Sequence, residues 1–270
     1  MQLKISHTTS YHYDRPVSYG LQQLRLRPKS RPGQQVLSWD IGIDGGKHEV
    51  SYEDEHANTV DLISFDAGES DFVIRCEGEV EVEDHHGIVG QQTGFVPLWL
   101  FQRSTDLTRA GPLSRALIRE LDRELPDLEL LHALSAHVID QVPYSTDQEA
   151  SDLTSEQALE AGHAVCQDHA HIFLTAARLM GFPARYVSGY LMMNDRIEQE
   201  ATHAWAEAHV DGLGWVGFDI SNGISPDPRY VRVATGMDYR DAAPITGISF
   251  GTANEDLRVD VTVEQQQVEQ

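Results

Sequence analysis

Cysteine and basic charge are both scarce in this chain. Only 2 of its 270 residues are cysteine, Cys76 and Cys166. That is too few for a disulfide framework, so a reducing compartment is the expected setting. Lys and Arg number 20 against 43 Asp and Glu, a formal net charge of -23. A field of that sign repels nucleic acid and anionic membranes and argues against both as partners. Its first reading is a solvated acidic surface, and its second is selection for basic substrates. No apolar run approaches the ~18 residues of a membrane-spanning helix. Met1 opens directly on strand-like alternation, with no basic, apolar and small-residue leader after it, so the expected location is the cytoplasm. Internal repeats, heptads and phosphate-cradling glycine loops are missing too, and no cofactor is expected.

What is present is an apolar content of 40%, ample for two modest domains or one large one. From residue 1 to 87 the pattern is all β. Leu3, Ile5, Thr9, Tyr11 and Tyr13 alternate, as do Leu37, Trp39, Ile41 and Ile43. Segments 60–65, 72–76 and 80–82 continue the theme between Gly, Asp and Asn turns, which predicts an antiparallel sandwich. Cys76 reads as a buried strand thiol. The six histidines of this half show no compact ligand spacing. Residues 88–112 carry Gly, Pro and an apolar knot at Phe95–Phe101, and they read as a connection tucked onto the core.

Residues 113–270 form the second unit. Helices are predicted over 112–125 and 128–141, and Ser155 is placed to cap a short one. The next helix begins near Cys166. Phe173, Leu174, Ala177 and Met180 give it one apolar stripe, and Gly181 and Pro183 end it. A cysteine at a helix N-terminus is held where free N–H groups and the helix dipole favour a thiolate. Two strands follow, THAWAEAHV and GWVGFDI. Alternation puts His203, Trp205, Glu207 and His209 on one face, and Trp215, Gly217 and Asp219 on one face of the second strand. A three-residue turn within Asp211–Gly214 makes the two faces the same. Thiol, imidazole and carboxylate can then converge as nucleophile, base and orienter. Leu257, Val259, Val261 and Val263 form a last strand, and the glutamine-rich C-terminus should fray.

The motifs AVCQDHAHIF, GFPARYVSGY, THAWAEA and GWVGFDISNG, in this order, resemble the catalytic core of the transglutaminase-like superfamily, and more narrowly its bacterial two-domain members described as cysteine peptidases. The opening LKISHTTSYHYDRPVSYG is similar to that group's N-terminal β domain. The chain departs from the family pattern at His163-Ala164-Val165, where glycine is usual, and at Ile220-Ser221, where Pro-Thr is usual. The resemblance implies an α+β fold: an antiparallel β-sandwich followed by a papain-like core, with the nucleophile at a helix N-terminus packed on an antiparallel sheet. It also implies Cys166 as nucleophile, His203 as general base and Asp219 as orienting acid. Tyr144, Trp205 and Tyr190 are candidates for substrate or oxyanion contacts, beside the backbone N–H of Cys166.

The expected reaction is hydrolysis of a peptide, isopeptide or glutamine-type amide through a thioester, with a peptide or protein as substrate. Transfer of the acyl group to an amine remains open, as does an inactive interaction module. No calcium loop is visible, so Ca²⁺ is not expected. A metal reading also stays open at this point, because His163, Cys166, His169 and His171 crowd one short stretch with His203 as a further ligand. Asp168, in the first helical turn, reads as a helix-stabilising carboxylate. Similar chains occur beside ATP-grasp-like proteins, which implies a partner of that kind.

Overall fold

Strict alternation makes the first half of the chain a sandwich. In the computed structural model, which describes residues 1–145, 153–193, 198–199, 201–250 and 255–266, strand β1 (Gln2–Tyr13) buries every odd residue from Leu3 to Tyr13. It is followed by β2 (Tyr19–Arg27), β3 (Gln34–Asp44), β4 (Gly46–Glu53), β5 (Thr59–Phe65) and β6 (Asp71–Val82). Tyr11, Tyr13, Leu24, Leu26, Ile63, Phe65, Phe72 and Ile74 fill the space between the two sheets, with Phe65 and Phe72 stacked at 3.9 Å between ring centroids. Each such side chain contributes roughly 1.5–3 kcal/mol on burial.

One strand corrects the sequence reading. Gly78, taken as a turn between strands 72–76 and 80–82, lies in the middle of the unbroken β6. The glycine is there because Trp39 of β3 lies against it. A Cβ at Gly78 would come within 2.3 Å of the Trp39 ring and 2.4 Å of the Ser38 carbonyl.

A short strand, β7 (Ile88–Gly90), then leads into the helices α1 (Pro112–Arg119), α2 (Asp127–Gln141), α3 (Ser155–Ala161) and α4 (Cys166–Leu179). In the connection, Phe101 is buried edge-on against Trp215, but Phe95 and Trp99 are exposed, so only part of the apolar knot is tucked in. Helix α1 stops short of the predicted residue 125, where Asp122 accepts a hydrogen bond from the Glu124 N–H in a local turn that competes with the helix. The cap of α3 is Thr154, not Ser155. Thr154 exchanges hydrogen bonds with Gln157 in a capping box, while Ser155 is buried and bonded to Thr175.

Helix α4 is the centre of the second core. It is buried around its whole circumference from Asp168 to Arg178, not along the single stripe its apolar spacing implies. Its end is a Schellman turn, with Gly181 at φ 98° and the Phe182 N–H bonded to the Ala177 carbonyl. Buried Arg178 reaches out from it to the carbonyls of Phe101, Ala184 and Met237 and to Thr108 Oγ1.

The remaining elements are β8 (Ala184–Leu191), β9 (Glu198–Gln199), β10 (His203–Val210), β11 (Gly214–Phe218), β12 (Tyr230–Gly236), α5 (Tyr239–Ala242), β13 (Ile245–Phe250) and β14 (Glu255–Gln265). The sheet under α4 runs β12-β8-β10-β11-β7. The last two strands return to the sandwich: β13 pairs with β2, and β14 with β1. The final strand therefore completes the first sheet, not the core with which the sequence groups it. Positions 267–270 of the terminus expected to fray lie outside the described residues.

Strand β12 is an edge of its sheet, and two side-chain amides of the sandwich cover it. Gln34 bonds both the N–H and the carbonyl of Arg232, and Asn58 does the same for Thr235. Each amide stands in for a neighbouring strand and satisfies an open edge.

Gly78→Ala should lower stability by about 1–3 kcal/mol, since Trp39 must leave its place over β6 to admit the methyl group. Urea unfolding followed by tryptophan fluorescence measures this; an unchanged midpoint would contradict the packing described.

Candidate active site

The turn between β10 and β11 has the three-residue length that parity requires. Val210 pairs with Gly214, Glu207 with Gly217, and both Gly212 and Gly214 have positive φ. That register carries His203 and Asp219 to the same face, where His203 Nε2 meets Asp219 Oδ2 at 2.7 Å. Cys166 is the first residue of α4, partly exposed, and its thiol stands beside the His203 ring, close enough to raise the imidazole pKa. With Nε2 committed to Asp219, Nδ1 is the ring nitrogen left for the sulfur.

Electrostatics favour a charged imidazole. Burial opposes it, but the hydrogen bonds and charges of Asp219 and Cys166 outweigh burial and carry the His203 pKa up to about 10. Asp219 is fully buried, which alone would raise its pKa. The hydrogen bonds and charge of His203, with further bonds from Asn222 and Tyr230, hold it below the usual carboxylate value instead. The Tyr230 hydroxyl donates to Asp219 Oδ2 at 2.7 Å, and Asn222 Nδ2 does the same at 2.7 Å.

Sequence reasoning missed both of these donors. Asn222 sits three residues after the carboxylate, where an Asx-type turn was a detectable signal. Tyr230 lies on β12, and only the pairing of β12 with β8 brings it to the site.

The three candidates for substrate contacts fare differently. Tyr144 lines an open cleft together with His203, Leu191, Met192, Met193, Ile224 and Tyr230. Trp205 is buried, with its ring edge-on to Tyr230 at 5.5 Å and stacked on His203 at 6.2 Å between centroids, and it lines a recess other than this cleft. Tyr190 is not part of the site at all. It sits opposite Val231, packs in the seam with the sandwich, and its hydroxyl bonds His7 Nδ1 at 2.9 Å. His7 in turn is a buried strand residue whose pKa burial pushes down to about 4.

The histidines around Cys166 are already engaged. His163 Nδ1 bonds the Ala161 carbonyl, and His171 Nε2 accepts from the Tyr239 N–H. His169 Nε2 donates to the Val142 carbonyl, so its Nδ1 accepts from the Ser221 hydroxyl at 2.8 Å. Ser221, one of the two positions that depart from the family pattern, thereby ties the end of β11 to α4. Among the described residues, no group of three His, Cys, Asp or Glu could hold a metal ion. Asp168 Oδ2 accepts from the Val165 N–H ahead of the helix, and burial raises its pKa to about 6.

Two outcomes follow from this geometry. Iodoacetamide should modify Cys166 in the native protein and leave Cys76 untouched, because Cys76 is fully buried and burial pushes its thiol up to about 12; peptide mass spectrometry distinguishes the two. In Asp219→Asn the charge that sustains the imidazolium is gone, so His203 should titrate at least ~1 unit below its native value. NMR of the labelled ring reads this directly, and titration still near 10 would contradict the assignment.

Comparison with known proteins agrees with the architecture. Residues 3–81 match the bacterial transglutaminase-like N-terminal region, and residues 115–220 match the transglutaminase-like superfamily. An uncharacterised protein of Mycobacterium leprae is 28% identical over 279 aligned positions, covering 97% of this chain and 98% of its own. Uncharacterised proteins of Mycobacterium tuberculosis and Mycobacterium bovis are 34% identical over 149 positions, 52% of this chain. The aligned part is 47% of each of those proteins, about half their length. Among solved structures, a "putative cysteine protease" from Cytophaga hutchinsonii has the same fold, with a TM-score of 0.78 over 100% of this chain and 92% of its own, at 19% identity. With both of its regions matched in order, the chain is a bacterial member of the transglutaminase-like superfamily.

Proposed function

We propose that the protein is a thiol-dependent hydrolase of peptide, isopeptide or glutamine-type amide bonds. The observation that carries this reading is the continuous contact from Cys166 through His203 to Asp219 at the edge of an open cleft. In the proposed reaction the Cys166 sulfur attacks the amide carbon, a C–S bond forms and the carbonyl oxygen takes the negative charge. The Cys166 N–H, which as the first of α4 has no partner within the helix, would stabilise that oxygen. As the tetrahedral species collapses, the C–N bond breaks and His203 gives its proton to the leaving amine. Water then attacks the thioester, His203 takes its proton, and the C–S bond breaks to release the acid.

Asp219 keeps the ring in one orientation and offsets its charge throughout. Tyr144 and Ile224 stand 46% and 37% exposed at the cleft beside His203, an open setting that favours water over a sheltered amine as acceptor. The methionine- and leucine-lined wall suits an apolar substrate side chain. Two free thiols are consistent with work in the cytoplasm.

A glutamine-containing peptide library incubated with a labelled primary amine tests both steps. Cleavage or deamidation is the expected result by mass spectrometry, and Cys166→Ala should lower the rate roughly ten-thousandfold or more. An amine adduct as the main product would reassign the enzyme to acyl transfer. Turnover that survives in Cys166→Ala would overturn the mechanism.

A further inference from the structure

Behind Trp205 and Tyr230, as seen from the candidate active-site cleft, is a second, shallow recess at the seam between sandwich and core. Its chemistry is set by Arg31. Pro32 and Gly33 form a tight turn closed by the Gln34 N–H on the Arg31 carbonyl, with Gly33 at φ 82°. The Gln34 side chain is locked to the backbone of Arg232. That lock carries Arg31 into the recess beside Arg232.

The carboxylate nearest these cations is fully used. Glu207 is buried, and one of its oxygens takes Arg185 Nε at 2.6 Å while the other takes Arg232 Nε at 2.8 Å. Arg185 also lies over the Trp215 ring at 3.9 Å. Of the other acids lining the recess, Asp227 is held by Arg229 through both oxygens, and Glu83 faces outward beside His85. Among the described residues, the Arg31 side chain makes no hydrogen bond and no ion pair, and its Nη1 is buried without a partner. Three guanidinium groups therefore share one carboxylate, in a protein whose overall charge is -23.

We infer that this recess is a binding site for a small oxyanion, a carboxylate or a phosphate group, held by Arg31 and Arg232. Arg31 is half-buried, and a guanidinium nitrogen left unpaired away from water, as its Nη1 is, is costly; a ligand that supplies two acceptor oxygens matches the fork. Burial, with Arg232 as a like-charged neighbour, lowers the Arg31 pKa to about 9, as expected for a cation lacking its counter-charge. The tryptophan and tyrosine that form one wall touch His203 and Asp219 from behind. A bound anion would therefore sit one side chain away from the candidate active site without blocking it. The inference does not depend on which reaction that site performs.

Calorimetric titration of the whole protein at pH 7 and constant ionic strength tests it, with inorganic phosphate in one arm and triglycine against triglycine amide in the other. Saturable binding of phosphate, or of triglycine but not its amide, is expected at concentrations up to about 10 mM, and the arm that responds identifies the source of the oxyanion. Arg31→Gln should bind roughly tenfold to hundredfold more weakly. Should that variant not fold, phenylglyoxal labelling of the native protein supplies the same answer, because a bound anion must slow modification of Arg31. No saturable binding, equal binding by Arg31→Gln, or Arg31 labelling unaffected by the ligand would each overturn the site.

Discussion

A carboxylate with no access to water has to be neutralised by its neighbours, and Asp219 is fully buried. Unpaired, such a charge would cost several kcal/mol and the group would instead take up a proton. Four contacts prevent this: the His203 ring, the Tyr230 hydroxyl, the Asn222 amide and the Asn222 N–H. Those contacts draw together β10, the turn after β11 and the start of β12. The site is thus assembled by the need to satisfy one acid, and the imidazole it orients is the one that faces Cys166.

The sandwich takes part in this arrangement. Tyr230 is useful only if β12 stays in register beside β8, and β12 is an edge strand. Gln34 and Asn58 hold its outer side by paired hydrogen bonds to Arg232 and Thr235. Because β13 and β14 return to β2 and β1, the chain after β12 is anchored in the same body. The first half of the sequence supplies no side chain to the candidate active site, yet it fixes the strand that completes the acid's coordination. Arg178 and Glu207 repeat the logic on a smaller scale, each a buried charge whose partners come from several elements.

The parts of this design that were legible in the sequence are those governed by local periodicity. Cys166 at a helix start, and His203 and Asp219 on one face of a hairpin, follow from a glycine-terminated helix and the parity of a three-residue turn. What long-range packing decides was not legible. Tyr190 alternates correctly within β8, but nothing local says that its face meets His7 across the seam. Gly78 looks like a turn until Trp39 is seen lying on it. The apolar stripe of α4 was real but incomplete, because a helix wrapped on every side also buries Asp168, His169, His171 and Arg178 through hydrogen bonds that apolar spacing does not register. Tyr230 was missed for the same reason as Tyr190: its position is fixed by strand pairing and not by sequence distance.

The pairing that assembles the site also sets the pH range in which it stabilises the fold. His203 titrates near 10 in the folded protein against an ordinary 6.5, so its contribution is complete below about 6.5 and is lost as pH rises toward 10. Asp219 is shifted the other way, below its ordinary 3.8, so its contribution is present above that value and lost as pH falls beneath it. Both terms are complete between these ordinary values, and the histidine term declines gradually across the neutral and alkaline range. Over that same range His203 keeps the proton that the proposed reaction would pass to a leaving amine. In the proposed reaction chemistry and stability therefore do not compete at this site: the hydrogen bond that keeps a buried acid ionised is also the one that keeps the proposed acid–base group charged.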